Sequence, residues 1–113
     1  MKIIEAVNIL NKKLPVKIRR SRLQFYDRIK LVKVKRSGDN MDSREYTEES
    51  VRDLAIVTLL SFLGIDLKDI DKVVNKKERE AIKKIGELLK AKKKALKILK
   101  KEMGELYANS KNN

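Results

Sequence analysis

Residues 17–46 read KIRRSRLQFYDRIKLVKVKRSGDNMDSREY, and the fold depends on how this stretch divides. Its first part carries Lys17, Arg19, Arg20, Arg22, Arg28, Lys30, Lys33, Lys35 and Arg36 against one acid, Asp27. Such an excess attracts phosphate and speeds encounter with a polyanion, but it confers no sequence preference by itself. A charge run taken alone fits a solvated face about as well. Ile18, Leu23, Tyr26 and Ile29 fall at helical spacing, while Arg20, Gln24 and Arg28 form a separate stripe predicted to face outward. Beyond that helix, residues 31–35 alternate apolar and basic side chains. Ser37-Gly38-Asp39-Asn40 supplies turn chemistry, and Arg44-Glu45-Tyr46 is placed to return as a partner strand. This half reads as a β-hairpin wing.

Working outward, Ile3, Ile4, Val7 and Leu10 predict a short amphipathic helix that Pro15 ends. Two short helices about a tight break match a helix-turn-helix, whose second helix enters the major groove. After the wing, Thr47 can cap a helix, with Glu48 and Glu49 favouring its dipole and Ser50 standing where a capping box takes Glu. That third helix runs to Gly64 and is apolar around most of its circumference, so it must be covered on nearly all sides. Asp66 caps a fourth helix ending at Asn75. From residue 76 to 107 there is no proline, and Ile82, Ile85, Leu89, Lys92, Leu96, Leu99, Met103 and Leu106 repeat as a heptad seam with one polar member. A helix this long and polar needs a partner. The domains expected are 1–75, a DNA-binding unit with two linking helices; 76–107, a dimerisation helix; and 108–113, a flexible tail.

Composition narrows the function. A net charge of +13 and a sequence pI near 10.0 call for an acidic partner. No apolar run is long enough to span a bilayer, and the first residues lack the features of a signal peptide, so a cytoplasmic, nucleoid-associated protein without a membrane partner is expected. The sequence has no Cys and no His, which removes disulfides, the usual soft-metal ligands and the commonest nucleophile and general base. We therefore expect no enzyme, no metal and no cofactor.

The residues just quoted resemble the MerR family of bacterial transcription regulators. The family's Leu-Arg-Tyr-Tyr-Glu-x-x-Gly-Leu-Leu is similar to the segment from Leu23 through Gln24, Phe25, Tyr26, Asp27, Arg28, Ile29 and Lys30 to Leu31 and Val32. Its Tyr-Arg-x-Tyr-Thr-Glu-Glu-Asp-Val resembles Ser43-Arg44-Glu45-Tyr46-Thr47-Glu48-Glu49-Ser50-Val51, and its Leu-Gly-Phe-Ser-Leu-x-x-Ile resembles Leu63-Gly64-Ile65-Asp66-Leu67-Lys68-Asp69-Ile70. The resemblance implies a mainly α fold with a small β-hairpin wing: a winged helix-turn-helix followed by a long helix that pairs antiparallel with its twin. It also implies double-stranded DNA as partner, with the second helix in the major groove and the wing on the neighbouring backbone. Many members distort DNA between promoter elements, which makes RNA polymerase a candidate partner. The family's Gly-Val-Ser before the second helix aligns with Lys17-Ile18-Arg19, so the glycine turn and serine cap are missing. No segment corresponding to an effector domain follows the pairing helix, so a regulator without its own sensor is expected.

The DNA-binding residues expected are Lys17, Arg19, Arg20, Gln24, Arg28, Lys35, Arg36, Arg44 and Tyr46. Arg20 and Gln24 are expected to read bases, Lys35, Arg36 and Arg44 to hold phosphates, and Tyr46 to fix the base of the wing. In the fullest antiparallel register Ile82 meets the partner's Leu106, Ile85 the partner's Met103, Leu89 the partner's Leu99 and Lys92 the partner's Leu96. Alternatives are an excisionase or a partition or DNA-organising factor, and, in another class, a basic coiled-coil module docking on an acidic partner.

Overall fold

The computed structural model describes residues 1–36 and 44–111, which form two compact units divided after Lys77. The Ser37-Gly38-Asp39-Asn40 turn, Ser43 and the last two residues of the tail lie outside the described residues. The first unit contains α1 (Ile3–Lys13), α2 (Arg20–Arg28), β1 (Lys35–Arg36), β2 (Arg44–Glu45), α3 (Glu48–Phe62) and α4 (Leu67–Val74). The second is one helix, α5 (Arg79–Lys111). The fold is mainly helical with a two-strand antiparallel hairpin, in which Lys35 pairs with Glu45 and Arg36 with Arg44.

Ala6 and Leu10 of α1, Leu23 and Tyr26 of α2, and Leu54 and Val57 of α3 meet in the core with Val32, Tyr46 and Ile70. Each fully buried aliphatic side chain contributes about 1.5–3 kcal/mol. Local chemistry sets the helix ends. Thr47 accepts the backbone N–H of Ser50 at 3.1 Å, and the Ser50 hydroxyl accepts the backbone N–H of Thr47 at 2.6 Å, so a serine completes the capping box in place of Glu. Asp66 caps α4 by accepting the N–H of Asp69. Gly64, at φ 87°, closes α3 through Ile65 N–H to Leu60 O at 3.0 Å.

The same closure ends α2 on a residue less suited to it. Leu31 N–H reaches Tyr26 O at 2.9 Å, and the residue held in the left-handed region, φ 59°, is Lys30. This is the position at which the family pattern carries glycine.

Three expectations need correction. Strand pairing takes in only Lys35 and Arg36 of the first arm, because the chain before them is held by the core through Leu31 and Val32. Residues 108–111 belong to α5 rather than to a flexible tail, since nothing in Ala108-Asn109-Ser110 breaks the helix and the Ser110 hydroxyl bonds back to Tyr107 O. And α3 is not covered on nearly all sides of the first unit: Val51, Leu54, Val57 and Leu60 are buried, but Phe62 is 65% exposed.

Candidate nucleic-acid interface

The turn between α1 and α2 is held by a side chain rather than by glycine. The Asn11 amide brackets Ile18, donating from Nδ2 to Ile18 O at 3.1 Å and accepting Ile18 N–H on Oδ1 at 2.7 Å. Ile18 is thereby buried, and the cations on either side of it, Lys17 and Arg19, stay exposed. Arg19 stands at the N-cap of α2, and no side chain caps that end. The Arg22 amide donates to Arg19 O at 3.0 Å in place of a side-chain cap, in a setting of positive helix dipole and clustered cations. Lys17, Arg19 and Arg22 line a cleft of about 500 Å³ together with Thr58, Ser61 and Phe62 of α3.

Along α2, Leu23, Tyr26 and Asp27 are buried, which turns the opposite side outward. Arg20 and Arg28 are exposed and Gln24 is half-buried. The Arg28 guanidinium lies 5.7 Å from the centre of the Phe25 ring, a cation–π contact that orients it.

Asp27 joins this helix to the hairpin. Its Oδ2 accepts from Arg36 at 2.7 Å and from Nε of Arg44. The Arg44 and Asp27 side chains are 5% and 8% exposed, whereas that of Arg36 is 44% exposed. Thus Arg44, expected on phosphate, is an interior group whose charge Asp27 meets. Tyr46 is buried too, at 1% exposure, and burial is the chief cause that pushes its phenol above the ordinary 10.0. Its hydroxyl has no hydrogen-bond partner among the described residues. Neither Arg44 nor Tyr46 presents a surface to DNA. Lys35, by contrast, is exposed on β1.

Two further contacts fix the wing. Met1 exchanges backbone hydrogen bonds with Tyr46, both at 2.7 Å, and Lys2 Nζ lies 2.6 Å from Glu45. The hydrogen bond to Lys2 is the first cause holding the Glu45 carboxyl below its ordinary 4.5. At the other side Asn75 Nδ2 donates to Leu31 O at 2.8 Å and to Asp71 Oδ1 at 2.6 Å, tying the end of α4 to the closure of α2. The sequence reading missed Asn11, Asp27 and Asn75. The available signals were an acid inside a basic run and amide side chains at helix ends.

Residues 15–77, more than half of the chain, match the family model for the MerR HTH family regulatory protein. The chain belongs to this MerR family. Membership makes it a DNA-binding regulatory protein and places α2, the hairpin, α3 and α4 within the matched span. Helix α1 precedes that span, and α5 follows it. A comparison with curated proteins gives no match. Among the described residues no helix is long and apolar enough to cross a membrane, and no group of His, Cys, Asp and Glu is arranged to hold a metal.

On α5, in the second unit, the seam is largely exposed: Ile82, Leu96, Leu99, Met103 and Leu106 are open to solvent, Leu89 and Lys92 are half-buried, and Ile85 is buried.

Proposed function

We propose that the chain is a homodimeric, sequence-specific regulator that sets α2 in the major groove of double-stranded DNA. The observation that carries this reading is the division of α2: one side is locked by Leu23, Tyr26 and Asp27, and the stripe of Arg20, Gln24 and Arg28 runs beside it, with both arginines exposed and Gln24 half-buried. Arg suits guanine and Gln suits adenine, each through two parallel hydrogen bonds. The positive end of the α2 dipole, with Lys17 and Arg19 beside it, suits a phosphate. Lys35 suits the backbone next to the wing, and Arg36 can share it only by leaving part of its contact with Asp27. Arg44 takes another role here, holding the hairpin to α2 through Asp27, and Tyr46 lies buried at the base of the wing.

The homodimer draws its support from the exposed α5 seam. Each aliphatic side chain that a second helix covers adds about 1.5–3 kcal/mol, which favours the antiparallel register that uses the whole seam. Lys92 would then lie near the two-fold axis with its stem over the partner's Leu96 and its ammonium in water.

Selection of bound duplexes from a random pool tests the reading. The unaltered chain should return one preferred site. Gln24→Ala and Arg20→Ala should each lower affinity for that site by about 1–3 kcal/mol and relax choice at particular base pairs. An equal loss on every sequence would assign the residue to phosphate instead.

A further inference from the structure

The middle of α5 is free of acids. Between Glu87 and Glu102 there is no carboxylate, and Lys90, Lys93, Lys94, Lys97, Lys100 and Lys101 all fall there. At about 3.6 residues per turn these six occupy about a third of the helix circumference, in a band that Lys93 and Lys100 bring up to the edge of the seam holding Leu96, Leu99 and Lys92. All six are exposed, and none makes an ion pair among the described residues. Neighbours three and four apart on a helix repel when they carry like charge, so the stripe weakens the isolated helix. An opposing polyanion would turn that repulsion into attraction.

We propose that this face of α5 is a second DNA-binding surface, blind to sequence, that holds the phosphate backbone of a duplex other than the one read by α2. Three observations favour duplex DNA over an acidic protein. The stripe is composed of lysine alone, with no Arg, Trp or Tyr to serve as the anchors on which protein interfaces depend. It extends for about 16 Å of helix rise, along which a duplex presents roughly one charge every 1.7 Å. And it offers mobile point charges rather than forked donors, which suits a regular row of identical anions. The stripe lies wholly in the second compact unit, so its contacts use neither α2 nor the hairpin. On this proposal one molecule holds two stretches of DNA, one chosen by sequence and one by charge.

The test uses the full chain and a variant with all six lysines changed to Gln, a residue of similar helix propensity, with circular dichroism to verify that helix content is kept. Each protein is bound to its selected duplex on beads, and a labelled duplex of random sequence is added. The unaltered chain should retain the second duplex, less so as salt rises. The six-Gln variant should retain it at least about tenfold less while still holding the selected duplex. Lys94→Gln with Lys97→Gln should give an intermediate loss. Lys68→Gln, at an exposed position of α4 outside the stripe, should leave retention of the second duplex unchanged, which assigns the loss to the stripe rather than to the removal of any lysine. If selection returns no preferred site, that reading fails, and the stripe is still judged by the affinity of both proteins for random duplex in solution. Equal binding by the six-Gln variant, no retention by the unaltered chain, or capture of poly-glutamate in place of duplex would each overturn the proposal.

Discussion

Asp27 and Arg44, seventeen positions apart, form a buried ion pair that joins the last turn of α2 to the first residue of the returning strand. The wing is therefore attached to α2 by charge as well as by packing. Removing the acid strands a guanidinium in the interior, and a buried charge left without its partner costs about 3–5 kcal/mol. We predict a loss of that size for Asp27→Ala in urea denaturation. Arg36→Ala should cost less than about 1 kcal/mol, because Arg36 is partly solvated. Equal losses from the two variants would mean that Arg44 is not the principal partner.

Tyr46 offers a test with the opposite sign. Its hydroxyl is buried without a partner among the described residues, and such a group costs about 1–3 kcal/mol relative to an apolar replacement of the same shape. Tyr46→Phe should stabilise the fold by about 1 kcal/mol in thermal or urea melts and leave DNA affinity unchanged. A clear drop in affinity would return the phenol to the DNA surface.

Lys30 adopts the conformation that Gly64 adopts at the end of the next long helix. A side chain in the left-handed region is strained, so Lys30→Gly should raise stability by about 1 kcal/mol after allowing for the freer unfolded chain. Gly64→Ala should lower it. Denaturation midpoints at constant slope would measure both.

Asp53 is pushed above its ordinary 3.8, chiefly by burial, with Arg52 opposing. A carboxyl whose folded value is raised binds more protons in the native state, so its contribution to stability falls as pH rises from the ordinary value through the raised one. Asp53→Asn should therefore be the more stable protein at neutral pH, with the advantage shrinking as the pH is lowered through that window. The reverse ordering in pH-dependent melts would show Asp53 gaining more from Arg52 than it loses by burial.

The seam register is open to chemical crosslinking, since the chain has no native cysteine. Ile82→Cys and Leu106→Cys, mixed and oxidised, should link chiefly to each other. Efficient linking of each variant to itself would mean parallel helices, and a monomer in sedimentation would remove the paired-helix arrangement.

The parts of this fold that could be read from sequence are those fixed by neighbours in the chain. Thr47, Gly64 and Asp66 mark helix ends because capping acts within a few residues, and the alternation of buried and exposed positions on α2 follows from helical period. The clamps could not be read in this way. Arg44 next to a wing looks the same in sequence whether it meets phosphate or Asp27, and Asn75 gives no local sign that it will bond to Leu31, forty-four positions earlier. Arg44 reads from sequence as a phosphate-binding group because charge identifies a side chain's chemistry but not its direction.

The Asn11 bracket changes where the first turn stores its instructions. In the family pattern the bend is written in the bend itself, by a glycine that tolerates few replacements. Here a side chain on the preceding helix imposes it, gripping both polar groups of the Ile18 peptide. Lys17 and Arg19 occupy the two positions next to α2 at which that pattern has glycine and serine. One amide upstream thus lets exposed cations stand on both sides of Ile18 where the family pattern needs a residue without a side chain.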